Sequence, residues 1–96
     1  MNKGRCLHTS VLHNKKLFAI GGSEKYKGQK VDCMECLDLQ NPVSWVTIDE
    51  GNPLIPPRNN CLASSFSPHK IIIAGGNGSS LFSDVYLFDV RTSTAT

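Results

Sequence analysis

Two stretches of this chain can be written one above the other without a gap. SVLHNKKLFAIGG (residues 10–22) lies over SSFSPHKIIIAGG (residues 64–76): Ser10 falls on Ser64, Leu12 on Phe66, Lys16 on Lys70 and Gly21-Gly22 on Gly75-Gly76, an offset of 54. Upstream, Arg5 matches Arg58 at an offset of 53; downstream, MECLD (34–38) matches VYLFD (85–89) at 51. The whole chain therefore reads as two copies of one motif roughly 50 residues long. The drift in offset is expected to fall in the connecting loops, where length changes are best tolerated.

Each copy opens on a loosely alternating segment, CLHTSVL or CLASSF, that ends in a turn-rich HNKK or SPHK. A four-residue apolar run follows, LFAI or IIIA. Neither run alternates, so both faces of that strand are expected to be covered. The glycine pair ends the strand, because glycine adopts positive φ at no steric cost and lets a neighbour approach closely. A variable polar loop comes next, SEKYKGQKVD or NGSSLFSD, and then a strand closing on Asp38 or Asp89. The first copy continues into NPVSWVTI, with the only tryptophan of the chain. Strands are predicted near 7–12, 17–20, 33–38, 44–48, 61–66, 70–74 and 84–89, with no helix of ten or more residues.

Four antiparallel strands per unit, with a glycine pair after the second and an aromatic in the fourth, describe a β-propeller blade. The order of residues resembles the kelch repeat. It runs through Arg5, His8, Gly21-Gly22, Met34-Glu35-Cys36-Leu37-Asp38 and Trp45, and again through Arg58, Cys61, Gly75-Gly76 and Val85-Tyr86-Leu87-Phe88-Asp89. The resemblance implies an all-β fold of kelch-type blades, with residues 1–50 as a first repeat and 51–96 as a second. It departs from the family pattern at Leu37 and Phe88, where a tyrosine is usual, and at Cys61, where a histidine is usual. Trp45 follows Asp38 by seven residues, and seven beyond Asp89 is Thr96, so the second blade is expected to lack its outer strand. The chain then amounts to about one and three-quarter blades of a larger propeller, with an unpaired edge at DVYLFDV. Trp45 is expected to be buried near a glycine pair.

The glycine pairs do not build a phosphate site. GGNGSSLF has no lysine after its glycines and lies between two strands, whereas a phosphate loop needs G-x-x-x-x-G-K-[ST] and a following helix. The four cysteines hold one C-x-x-C, Cys33 and Cys36, with no second ligand pair to complete a zinc site. We assign no metal and no cofactor. His8, His13 and His69 have no carboxylate or nucleophile at a telling spacing, and His13 and His69 fall in turns where a solvated side chain is expected. Asp38 and Asp89 are read as turn formers. Asn77-Gly78-Ser79 fits the N-glycosylation pattern, and because MNKGRCLHTS is not followed by an apolar signal region the match is expected to be chance. A net charge of +2 is too small to point to nucleic acid or an anionic membrane. No apolar run exceeds four residues, so nothing spans a bilayer as a helix, and a cytoplasmic chain (or a nuclear one) is expected.

The resemblance implies a protein-interaction module and not an enzyme, of the kind found in ubiquitin-ligase substrate receptors and cytoskeletal scaffolds. Specificity for a protein or peptide partner is expected in the loops behind the glycine pairs. These carry Ser23, Glu24, Lys25, Tyr26, Lys27 and Lys30 in the first copy and Asn77, Ser79 and Ser80 in the second. Tyr26 is the amphipathic anchor, and the lysines favour acidic segments. The alternative is a segment of a kelch-type oxidase or sugar-acid epimerase, for which the predicted innermost strands supply His8 alone. Two blades leave an apolar face bare at each end, so a piece of a longer chain or a homo-oligomer is expected.

Overall fold

The computed structural model describes residues 4–23, 34–49, 54–78, 81 and 83–96. Among them it is all-β, in two four-stranded antiparallel meanders. The first sheet runs β1 (Thr9–His13), β2 (Lys16–Ile20), β3 (Glu35–Asp38) and β4 (Val46–Thr47). The second runs β5 (Leu62–Ser67), β6 (Lys70–Ala74), β7 (Val85–Asp89) and β8 (Thr94–Ala95). The β1–β2 hairpin closes on Asn14 and Lys15, both at positive φ (51° and 61°), which a two-residue turn between twisted strands requires. The strand-closing aspartates form their turns as expected: Asp38 accepts the Gln40 N–H at 3.0 Å and Asp89 the Arg91 N–H at 2.9 Å.

Register shows where one length change lies. Thr9 opposes Ile20 and Leu62 opposes Ala74, so β1 and β5 correspond at an offset of 53. The pairing then jumps from Ser65 to Ser67, leaving Phe66 as a bulge that restores 54 at the hairpin. One step of the drift therefore falls inside a strand and not in a connecting loop, because a bulge absorbs a single residue while the ladder resumes beyond it.

Three further expectations are corrected. The second sheet does have an outer strand: Asp89 pairs with Thr94 and Phe88 with Ala95, and Leu87 and Thr96 exchange backbone bonds at 2.9 and 3.1 Å. The tight turn through Arg91–Ser93, with Ser93 at φ 55° and its N–H on the Asp89 carbonyl, brings the chain back sooner than the longer 39–45 connection of the first sheet. Trp45 is half-buried, since it precedes a two-residue edge strand and stands outside the core. The IIIA run does not have both faces covered: Ile71 and Ile73 are sealed, whereas Ile72 and Ala74 are half-buried.

The core lies between the sheets. One face of the first sheet, carrying Val11, Phe18, Ile20 and Met34, meets the face of the second that carries Ile71, Ile73 and Phe88. Phe18 and Phe88 touch edge to face across the interface, with centroids 6.3 Å apart.

At the joint between the sheets, the Gly22 N–H donates to the Arg58 carbonyl at 2.7 Å, and the Asn60 N–H to the Leu7 carbonyl at 3.0 Å. Leu7 and Asn60 hold the same left-handed conformation (φ 60° and 55°) at matching places in the two units. Gly21 sits at φ +72°, and a Cβ there would stand 2.5 Å from the Arg58 backbone oxygen. Gly21→Ala should therefore cost about 2–5 kcal/mol in urea denaturation, from backbone strain plus overpacking against an atom that cannot swing aside. Gly4→Ala, where nothing lies within 4 Å, should leave the midpoint unchanged.

Candidate functional site

The residues shared by the two units converge on one device. Arg5 Nη1 donates to the Gly21 carbonyl at 3.1 Å, and its Nη2 pairs with Glu35 Oε2 at 2.5 Å, both side chains fully buried. Arg58 repeats this: Nη1 reaches the Gly75 carbonyl at 2.8 Å, while Nη1 and Nη2 hold the two oxygens of Asp84 at 2.6 and 3.0 Å. The carboxylate has moved between copies. Asp84 precedes β7, whereas Glu35 opens β3, and Tyr86 fills the vacated place with its ring 5.5 Å below the Arg58 guanidinium. A planar five-donor fork can satisfy a carbonyl and a carboxylate together, which lysine's point charge cannot. The Arg58 guanidinium holds the Asp84 carboxyl below the usual carboxylate range.

Several polar side chains join the sheets. The Ser23 hydroxyl donates to Asn59 Oδ1 at 2.8 Å, and Asn14 Nδ2 donates to the Pro68 carbonyl at 2.6 Å. His13, expected in a solvated turn, is buried and spans both sheets, with Nδ1 2.6 Å from Ser65 Oγ and Nε2 3.1 Å from the Pro68 carbonyl. A carbonyl can only accept, so in the neutral ring Nε2 carries the proton and Nδ1 accepts from serine. His69, by contrast, is exposed as expected. Asp49 escaped the sequence reading: it is buried and accepts the Met34 and Leu54 N–H groups at 2.7 and 2.9 Å, tying β3 to the connection between the units. A lone aspartate beside a Pro-rich connection carries no signal of this by itself.

Of the loop positions expected to bind a partner, Glu24, Lys25, Tyr26, Lys27, Lys30, Ser79 and Ser80 lie outside the described residues. Ser23 is buried, its hydroxyl engaged with Asn59 and its backbone paired both ways with Cys6, so it anchors the loop base. Asn77 is exposed and pairs through its backbone with Asn59 and Leu81. His8 lies half-buried beside the Gly22 backbone, its Nδ1 enclosed without a hydrogen-bond partner. Cys33 lies outside the described residues, and among the described ones no three His, Cys, Asp or Glu side chains gather as metal ligands. No helix among them is long and apolar enough to cross a membrane.

A cleft of about 480 Å³ opens at the other end of the sheets, where the β1–β2 and β3–β4 turns lie. Phe18, Phe88, Val46 and Ile48 line its apolar part, and Lys16, Asp38, Asn41 and Ser93 its polar part. Cys36 also faces it, half-buried; burial pushes its thiol pKa up, Lys16 draws it part-way back, and Asp38 raises it again. Cys61 is likewise raised by burial, with Arg58 and a backbone hydrogen bond opposing.

Residues 4–42 match the family model of the Kelch motif, which covers Arg5, the glycine pair and Asp38 together. The chain carries a kelch repeat. No curated protein matches it in a sequence comparison. The two four-stranded sheets fit kelch-type propeller blades, and such repeats are typically non-catalytic protein-interaction modules.

Two outcomes follow from the titrating groups. Thiol labelling resolved by mass spectrometry should modify the exposed Cys6 faster than Cys36 and Cys61, which stay slow until the chain is unfolded in urea, because burial hinders access and a raised pKa depletes thiolate. Acid should destabilise the fold through Asp84 and through Asp89, whose carboxyl is held down to about 2 chiefly by the Arg91 side chain. Both folded pKa values lie below the unfolded 3.8, so this stability is present above about pH 4 and is lost as pH falls below it. Asp84→Asn should flatten the fall of the urea midpoint between pH 5 and pH 2.

Proposed function

We propose that the chain is a segment of a kelch-type propeller that binds a protein or peptide partner, with residues 1–50 as its first repeat and 51–96 as its second. The observation that carries this reading is the fixed base of the first loop. Gly21, Gly22 and Ser23 are buried and pinned to Cys6, Arg58 and Asn59, so the variable segment that follows departs from a rigid frame. Variable loops on a rigid scaffold are where binding residues concentrate. The loop beyond Ser23 holds Glu24, Lys25, Tyr26, Lys27 and Lys30, a ring flanked by cations that suits an acidic segment of a partner. Asn77, Ser79 and Ser80 hold the matching place in the second repeat.

This frame suits substrate recognition in a ubiquitin-ligase adaptor or docking on a cytoskeletal scaffold, in the cytoplasm or nucleus. Arg5 with Glu35 and Arg58 with Asp84 are engaged within their own units and His13 between them, which favours the loops for partner recognition.

An array of acidic and basic 12-residue peptides tests this. The chain should retain acidic peptides preferentially, more weakly as salt rises, and Tyr26→Ala or joint Lys25→Glu and Lys27→Glu should reduce retention by about tenfold or more. His69→Ala, in the turn between β5 and β6, should change nothing. Equal retention of acidic and basic peptides, or indifference to the loop substitutions, would reject the reading.

A further inference from the structure

We infer that Ser65 is an activated nucleophile, with His13 as its general base, and that it accepts an acyl group from an aryl ester or a thioester. This chemistry is independent of partner binding by the loops. The two residues stand 52 positions apart in the chain and meet because β5 packs against β1, which brings Ser65 Oγ to 2.6 Å from His13 Nδ1. A nucleophile within hydrogen-bond reach of a base, the base itself held by a third group, is the arrangement that covalent catalysis by serine uses.

The third group is the Pro68 carbonyl, 3.1 Å from His13 Nε2. A carbonyl oxygen has no proton to give, so Nε2 carries the ring hydrogen and Nδ1 turns its lone pair to the Ser65 hydroxyl. The fold thereby selects the tautomer that can take the serine proton. The Phe18 ring meets the imidazole edge to face, with centroids 6.4 Å apart, and holds its plane. Two other serine hydroxyls show the contrast. Ser23 donates to Asn59 Oδ1 and Ser64 to the Ser65 carbonyl, and an amide oxygen does not take up the proton at neutral pH.

Access is divided in the same way. His13 is 3% exposed, whereas Ser65 is open to solvent. An electrophile can reach the hydroxyl while bulk water is kept from the base. Ser65 shares its sheet face with the sealed Ile71, its partner in β6, so it stands on the side that meets the first sheet. The bulge begins at this residue, since the pairing jumps from Ser65 to Ser67. Bulges re-aim a neighbouring side chain and gather beside active sites.

In the acylation step the bond from Ser65 Oγ to the acyl carbon forms as the hydroxyl proton passes to His13 Nδ1. The imidazolium then donates from both nitrogens, with Nε2 still on the Pro68 carbonyl. The bond from the acyl carbon to the leaving oxygen or sulfur breaks, and the leaving group departs with that electron pair and takes the proton from His13. A neutral carbonyl steadies an imidazolium less than a carboxylate does, so the ester must carry a good leaving group, a phenol or a thiol.

Incubating the folded 96-residue chain with p-nitrophenyl acetate tests the inference, read as p-nitrophenolate release and as the acetylated residue found by fragment mass spectrometry. Ser65 should gain acetyl at least about tenfold faster than Ser64 or Ser67 on the same strand, and in urea that excess should vanish because the pair comes apart. His13→Gln, whose amide can keep both hydrogen bonds without being a base, should slow Ser65 acetylation by about a hundredfold and keep the far-ultraviolet β signal. Ser65→Ala should remove the serine ester, and Ser64→Ala should change nothing. If His13→Gln loses the β signal, the wild-type chain with and without urea decides the matter. Equal acetylation of Ser65 and its neighbours in the folded chain, an excess that survives urea, or a folded His13→Gln chain acetylated as fast as wild type would overturn the inference.

Discussion

The position of Arg58 is the constraint on which both sheets depend. Its backbone carbonyl accepts the Gly22 N–H across the joint, while its guanidinium binds the Gly75 carbonyl and Asp84 within its own unit. One residue therefore sets where the second sheet begins and how its glycine turn is held. The approach works only because Gly21 lacks a Cβ, since an added methyl would fall inside the Arg58 carbonyl oxygen's contact distance. Burying a guanidinium is costly unless every donor direction finds a partner of matching charge or lone pair. Here the Pro56 and Gly75 carbonyls and the Asp84 carboxylate supply them, with the Tyr86 ring on the open side.

The two units share this anchor and differ in how they carry it out. Arg5 finds its carboxylate on the first residue of β3 and both groups are sealed, whereas Arg58 finds its own just before β7, on a side chain that keeps 31% of its exposure. The function of the anchor is conserved in space, not in alignment column, because the fork needs a charge within reach and not at a fixed residue. The bulge at Phe66 is the same lesson in the backbone: the ladder resumes at the same hairpin with one residue set aside.

Several polar side chains of the described region are spent on assembly. His13, Asn14, Ser23 and Asn59 spend their side chains across the sheet interface, and Asp49 spends both carboxylate oxygens on backbone donors. Burial pushes the half-buried Cys36 and the buried Cys61 thiols toward their neutral form. The apolar face between the sheets is sealed, whereas Leu12, Leu62 and Val85 stand exposed on the outer faces.

The sequence by itself determined the two units, the glycine turns, the aspartate turns and seven of the eight strands to within about two residues. Each of these is a local matter of apolar runs, φ preference and side chains bonding their own backbone. Tertiary structure decided the rest. His13 reads as a turn histidine until the second sheet arrives to bury it, and Asp49 becomes a staple only when β3 and the connection meet. Ser23 belongs to a polar loop in the sequence and to a buried joint in space. The outer strand β8 was hidden because Thr94 and Ala95 have no strand signature of their own; they pair because a turn returns them to β7. The IIIA run looks uniformly apolar, and only packing distinguishes the sealed Ile71 and Ile73 from the half-open Ile72 and Ala74. Burial is a property of what lies opposite, and a strand's own residues do not encode which of its faces will find a partner.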